Sequence, residues 1–241
     1  MKERVIDAFN QLAKVYENSV DKSSLYNSEY ERPSMMSQIP EDLTGKQVFD
    51  AGCAAGWYTN ELLHRGANVT ASDISPEMVN ATKRRVGNKA EVLCLDLTEK
   101  LPFEQHSFDL IISSLTLHYI QDWNETFREF QRIIKPNGML LFSVHHPFSD
   151  IGLLPNPNYF STELITDEWD KEGKLYEVVY YRRPLQDIMN DTLQYFTISE
   201  VIEPLPTWTF KEKAPQSYDR ILKQPPFLII KAFSRSEFDV N

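Results

Sequence analysis

The stretch VFDAGCAAG, residues 48–56, constrains this chain most: a short apolar strand ends in an acid, Asp50, and runs directly into a turn carrying Gly52 and Gly56 before a helical stretch from Trp57 to Arg65. A strand, a glycine-bearing turn and a helix N-terminus in immediate succession bring backbone amides onto a nucleotide-like ligand. A Cβ at position 52 would hinder the turn, and its absence at 56 lets the ligand or the next helix approach. The glycines are spaced G-x-x-x-G, whereas the dinucleotide fingerprint is G-x-G-x-x-G. This is not the NAD pattern.

The downstream sequence continues a nucleoside site in order. NVTASD (68–73) reads as a second strand ending in Asp73, a carboxylate able to accept both hydroxyls of a ribose. Ser75 and Pro76 read as an N-cap and first helical position, with Met78 and Val79 opening the apolar face of the next helix. A third strand, AEVLCLDL (90–97), delivers Asp96 at its end, placed to take an exocyclic amine with the Leu97 amide beside a ring nitrogen. FDLIISSL (108–115) is the fourth strand, and KPNGMLLFSV (135–144) reads as a turn and a fifth.

Over residues 47–144 these four motifs resemble the class I S-adenosylmethionine-dependent methyltransferases, specifically the small-molecule group called type 11. The resemblance implies an α/β Rossmann-like sheet of seven strands, six parallel and one antiparallel, with helices on both faces. It implies S-adenosylmethionine as cofactor and S-adenosylhomocysteine as product. By the same resemblance the loop of Asp50, Ala51, Gly52, Cys53 and Gly56 holds the methionine end. Asp73 then takes the ribose, Ile74 and Met78 an adenine face, and Asp96 with Leu97 the adenine edge; Tyr30 and Ser113 complete the expected cofactor set. The family loop reads G-C-G-x-G, and Ala54 stands here for the middle glycine. Slightly less backbone latitude is expected there, not a lost site.

Composition narrows the acceptor. Twenty-five basic against thirty-five acidic residues give a net charge of −10, which opposes binding to a phosphate backbone. After the fourth strand the chain reads SSLTLHYI, not the Asn-Pro-Pro-aromatic run that grips a flipped base, and neither a Pro-Cys nucleophile nor a double-glutamate loop is evident. A small-molecule acceptor is the expectation, with no nucleic acid and no membrane partner; the oligomeric state is not legible. The two cysteines, Cys53 and Cys94, read as small packed residues, neither disulfide nor metal ligand. The N-terminus is too charged for a secretory segment and no apolar run is long enough for a membrane span, so a cytoplasmic setting is expected.

Residues 1–40 are expected to form an N-terminal helix (3–17) and a segment, SSLYNSEYERPSMMSQIP (23–40), that is either a surface linker or closes over the cofactor. Residues 41–241 are expected to be the methyltransferase domain, with a cap of one or two short strands inserted at about 145–183. Another helix is expected over 122–134, a last one over 184–193, and strands over 195–206 and 226–233.

Methyl transfer is in-line displacement, so the protein aligns the acceptor and supplies a base only where the acceptor arrives protonated. His118, after the fourth strand, and His145 with His146, after the fifth, lie where open α/β sheets bind ligands and are the candidate bases. A histidine there is equally compatible with a structural role. Phe142, Tyr119, Tyr159, Trp169 and Tyr180 either build an acceptor pocket or pack the cap. Two rivals share the cofactor motifs: a non-catalytic S-adenosylmethionine-binding regulatory module, and a quinone or aromatic-ring methyltransferase.

Overall fold

Leu110, Ile111 and Ile112 are all buried in one strand although successive side chains point to opposite faces, so both faces of the sheet must be covered. The computed structural model, which describes residues 1–20 and 23–235, covers them with helices. Its strands are β1 (Gln47–Ala51), β2 (Asn68–Asp73), β3 (Glu91–Cys94), β4 (Phe108–Ser114), β5 (Ile134–His145), β6 (Glu163–Lys171), β7 (Lys174–Arg182), β8 (Phe196–Ile202) and β9 (Phe227–Ser234). Seven form one sheet in the order β3-β2-β1-β4-β5-β9-β8. β9 runs antiparallel to both β5 and β8, and the other six strands share one direction. The order reverses between β1 and β4, which opens a crevice at their carboxyl ends.

The helices are α1 (Lys2–Val15), α2 (Arg32–Ser37), α3 (Trp57–His64), α4 (Pro76–Val86), α5 (Asn124–Ile133), the single turn α6 (Pro147–Asp150), α7 (Leu185–Tyr195), α8 (Trp208–Lys213) and α9 (Pro215–Ile221). On one face Phe49, Ile111, Phe142 and Ile230 pack against Phe127, Phe130 and Ile133, spaced to lie on one side of α5, and against Ile188 of α7. On the other face Val48, Leu110, Ile112, Leu141 and Ile229 meet Leu62 of α3 and Met35 of α2. Among the described residues no helix is long and apolar enough to cross a membrane.

Several sequence expectations change in detail. β3 stops at Cys94, because the Leu95 amide turns to the Asp73 carbonyl, and Asp96 therefore sits just past the strand. Cys94 is exposed, not packed. Residues 134–138 are not a turn before β5 but its first part. Asn137 takes a left-handed conformation (φ +59°), and between the pairs Phe108–Ile134 and Leu110–Met139 β5 advances further than β4, so the strand bulges and continues. The cap carries one long hairpin, β6–β7, nine residues a side. Its inner residues Ile165, Tyr176, Val178 and Tyr180 pack with Leu12 and Ala13 of α1 and with Met78 and Ala81 of α4. The proline-rich link between β8 and β9 contains α8 and α9.

The segment 23–40 is largely helical and tied inward by several side chains, among them Arg65, which donates to the Met36, Ile39 and Pro40 carbonyls, and most deeply Glu31. Glu31 is 1% exposed, and its carboxylate accepts hydrogen bonds from Tyr58 Oη of α3 (2.7 Å), Ser114 Oγ of β4 (2.8 Å) and Ser143 Oγ of β5 (2.6 Å). Three elements are pinned to the N-terminal segment through one carboxylate. Glu31→Ala leaves three buried hydroxyls without their acceptor, and a loss of about 3 kcal/mol is expected. Denaturant titration checks it; a change below about 0.5 kcal/mol would show that the hydroxyls repartner locally.

Candidate active site

The loop after β1 is held by the end of β2. The amides of Gly52 and Cys53 both donate to the Ser72 carbonyl (2.8 Å each), and the Ala54 amide donates to Asp73 Oδ2 (2.9 Å). The other oxygen of Asp73 accepts from the Ser75 amide (2.9 Å), while Ser75 Oγ caps α4 by accepting from the Met78 amide. Each Asp73 oxygen thus holds one amide and keeps a lone pair in hand. Burial raises this carboxyl to about 6 against the lowering pull of the Ser75 and Ala54 amides.

Glycine is required twice in the loop. Gly52 has φ +90°, and a Cβ there would fall 2.2 Å from Thr116 Oγ1. Gly56, at φ +78°, would meet Thr82 Cγ2 at 2.7 Å. Between them Ala54 also adopts a left-handed conformation, φ +47°. The substitution for the family's middle glycine therefore keeps the backbone shape and accepts the strain that a Cβ brings there. Ala54→Gly relieves that strain but frees the unfolded chain, so a net gain of about 0.5–1 kcal/mol is expected by thermal or denaturant unfolding.

A cavity of about 1090 Å³ opens above these strand ends. Gly52, Cys53, Asp73, Ile74, Asp96 and Leu97 line one half of it. Burial pushes the Asp96 carboxyl up, but its ion pair with the Lys2 ammonium and hydrogen bonds from Thr98 outweigh this and hold it below the usual carboxylate range. In the other half lie Leu115, Thr116, Tyr119, Ile120, His145 and Phe227, with Asp150 beside His145. Tyr26, Glu31 and Arg32 form part of the wall on the N-terminal side, and Trp169 of β6 lines it from the hairpin.

The remaining sequence candidates stand behind this wall. Asp50 is buried and accepts from Thr59 Oγ1 (2.6 Å); burial raises it to about 7. Ser113 Oγ donates to the Ala51 carbonyl (2.8 Å), which braces β4 against β1. Ala51 and Met78 are core residues, Gly56 faces Thr82, and Tyr30 is fully buried, stacked on Phe227 at 5.5 Å. Of the aromatic candidates only Tyr119 and Trp169 reach the cavity. Phe142 belongs to the main core, Tyr159 stacks on Phe148, and Tyr180 packs edge-on against His145.

The three histidines separate clearly. His145 lines the cavity, and its Nδ1 lies 3.4 Å from Asp150 Oδ2. His118 is buried behind it, stacked on its ring at 4.2 Å, and burial, with His145 and Arg183 nearby, depresses it well below the ordinary imidazole value. His146 turns away: its Nδ1 accepts from the Phe148 amide at the start of α6, leaving Nε2 to donate to Glu203 (3.0 Å). Burial also lowers His146, with Glu203 opposing. Among the described residues no cluster of three His, Cys, Asp or Glu side chains is arranged to hold a metal ion. Sequence reasoning missed Glu31, Thr116 and Asp150. Glu31 lies between Tyr30 and Arg32 in a segment already singled out, whereas nothing local marks Asp150 as a partner of His145.

Known proteins resemble this chain in sequence and in fold. Residues 49–142 match the family model described as a methyltransferase domain. The chain is 32% identical over 143 residues to a malonyl-[acyl-carrier protein] O-methyltransferase of Buchnera aphidicola, an alignment covering 59% of this chain and 54% of that protein. The chain thus spans about half the length of that curated relative. It is 24% identical over 240 residues to an uncharacterized protein of Haemophilus influenzae, covering 86% of this chain and 87% of the other. Among solved structures, an S-adenosylmethionine-dependent methyltransferase from Mesorhizobium loti superposes with a TM-score of 0.70 at 27% identity, covering 84% of this chain and 97% of that one.

The cavity fits S-adenosylmethionine on this chain's own features. Carboxylates stand at the ends of β2 and β3, Ile74 and Leu97 offer apolar walls between them, and the Gly52 loop comes close without a side chain. Together with the Leu115–Phe227 half, the volume exceeds what a nucleoside ligand alone fills.

Proposed function

We propose, from the premise that this chain is a class I S-adenosylmethionine-dependent methyltransferase, that it methylates a small molecule seated over the ends of β4 and β5. The observation that carries this reading is the single cavity in which Asp73 and Asp96 share one space with His145, Tyr119 and Phe227. A module that only sensed the cofactor would have no need of a second, apolar half. The identity of the acceptor is not implied by the relatives. The Buchnera protein acts on a carrier-bound malonyl group, and its match covers little more than half of either chain.

In this reading Asp73 accepts the ribose hydroxyls on the lone pairs its amides leave free, and Asp96 with Leu97 meets the adenine edge. The loop from Gly52 to Ala54 follows the methionine end. Asp50, Ala51, Gly56, Met78 and Ser113 act from behind, by holding strand, loop and helix in register. Tyr30 acts likewise by stacking under Phe227. Residues 24–32 close the N-terminal side of the cavity, and the domain proper runs from residue 41 with its cap at 145–183. When bound, the cofactor supplies a methyl carbon on a positively charged sulfur, an electrophile that needs no further activation. The protein's share is to aim the acceptor and keep water out; Leu115, Tyr119, Ile120 and Phe227 provide the dry wall for that.

Asp73→Ala removes a charge-assisted acceptor, so S-adenosylhomocysteine affinity is expected to fall by about 1.5–3 kcal/mol, at least tenfold, in calorimetry. Affinity is also expected to depend on pH. Hydroxyl donors favour the ionised carboxyl, so binding weakens as pH falls through about 6, by up to about tenfold per unit below it. Asp73→Asn should bind more weakly at neutral pH and lose this dependence. An unchanged profile in that variant would remove Asp73 from the ribose.

Amide exchange provides the check on the closing segment. Protection over residues 25–34 is expected to rise when S-adenosylhomocysteine is added. Equal exchange with and without it would make the segment a fixed wall, already held by Glu31.

A further inference from the structure

We propose that His145 and Asp150 form a proton-accepting pair, with His118 as a positioning residue, and that the acceptor of this enzyme is therefore a planar molecule methylated at a weakly acidic O–H or ring N–H. The inference rests on the methyltransferase reading above and goes beyond it by naming the acceptor's chemistry.

Three observations converge. His145 and Asp150 both border the apolar half of the cavity, and Asp150 is only 6% exposed, so its carboxylate acts with little screening by water. Its Oδ2 lies 3.4 Å from His145 Nδ1, a spacing that selects the tautomer with the proton on Nδ1 and leaves Nε2 as the basic nitrogen. The contact is loose for a hydrogen bond, as such pairs often are before the acceptor is bound. The ring itself is fixed on three sides: His118 stacks on it at 4.2 Å, Tyr180 meets it edge-on at 4.5 Å, and Phe227 lies tilted at 5.8 Å.

The other groups around the pair are uncharged. The titratable groups packed on His145 are Asp150 from α6, His118 and Tyr119 from the turn after β4, and Tyr180 from β7. His118 is held neutral by burial, and Tyr119 and Tyr180 are pushed upward by burial and stay protonated. His145 therefore has one anionic partner and no cationic one in direct contact among these groups, the arrangement a general base requires.

In the reaction the acceptor's O–H or N–H proton passes to Nε2 of His145 as the oxygen or nitrogen lone pair closes on the methyl carbon. The carbon–sulfur bond breaks with its electron pair on sulfur, which becomes a neutral thioether, and the imidazolium is left beside the Asp150 carboxylate. The flanking rings of Tyr119 and Phe227, with Leu115 and Ile120, suit a flat apolar frame around the reacting atom.

The probe is 4-nitrophenol, whose ionised form is coloured, titrated in the presence of the full chain loaded with S-adenosylhomocysteine. Bound nitrophenol is expected to ionise at a pH about one unit or more below its value in water. His145→Gln should abolish that shift, and Asp150→Asn should reduce it, both with unchanged S-adenosylhomocysteine affinity. His118→Phe, which keeps a ring beneath His145, should preserve it. Nitrophenol that fails to bind the loaded protein, or that titrates alike in wild type and His145→Gln, overturns the proposal. Loss of S-adenosylhomocysteine binding by the wild-type chain would instead overturn the reading on which it rests. A second readout needs no acceptor: imidazole nitrogen shifts in NMR should show the His145 proton on Nδ1 in the wild type, and tautomer exchange in Asp150→Asn. A wild-type ring protonated on Nε2 also overturns the pair.

Discussion

The carboxylate of Asp73 is the contact on which the site depends. The β1 loop has left-handed residues at 52, 54 and 56, and such a backbone does not persist without external hold. That hold comes from the next strand. The Ser72 carbonyl takes two loop amides and Asp73 takes a third, while its second oxygen fixes the start of α4 through Ser75. One side chain thereby sets the distance between the loop and the neighbouring helix. Burial makes the same group reluctant to ionise, so its readiness to accept further donors is tied to its environment.

Closure of the crevice relies on a different economy. Only β1 to β5 and their helices are needed to make the switch point, yet its walls come from outside that unit. Residues 24–32 enter from the N-terminal side, the β6–β7 hairpin from the insertion, and Phe227 with Ile221 from the chain's last third. The first two are fastened by a small number of strong polar contacts, the third by apolar packing with Tyr30 and Phe210. Glu31 fastens the N-terminal segment. Arg182, at the end of the hairpin, donates to the carbonyls of Asn158 (2.9 Å), Tyr159 (3.0 Å) and Ser161, which anchors the loop ahead of β6. Arg183 lies 3.9 Å over the Trp123 ring and donates to the Ile120 carbonyl, which ties the hairpin to the turn carrying His118. Buried charge of this kind specifies where a peripheral element docks, since a slip would strand an unpaired ion.

What was legible in the sequence follows from how local the causes are. The ending of β2 at Asp73, the Ser75 cap and the apolar face of α5 each depend on residues within one turn or one strand, and they read directly, whereas β1 runs one residue past Asp50 and β3 stops two short of Asp96. The sheet order followed from the resemblance of those motifs, not from periodicity. The extent of β5 was not legible, because Asn137 and Gly138 signal a turn while the bulge they make is decided by pairing with β4. The hairpin's length was hidden for a similar reason: its alternation of exposed and buried residues is set by α1 and α4, both distant in sequence.

The candidate base shows the same limit at the scale of single side chains. His145 and His146 are neighbours in sequence and chemically identical, and alternation in an extended strand says only that they diverge. Of the two, His145 lines the cavity with Asp150 of α6 beside it, while His146 turns to Glu203 on the far side. His118 enters the picture only because the turn after β4 lays its ring on that of His145. The three histidines thus form a stack of two and an outlier, with Asp150 of α6 beside His145 and Glu203, just past β8, beside His146.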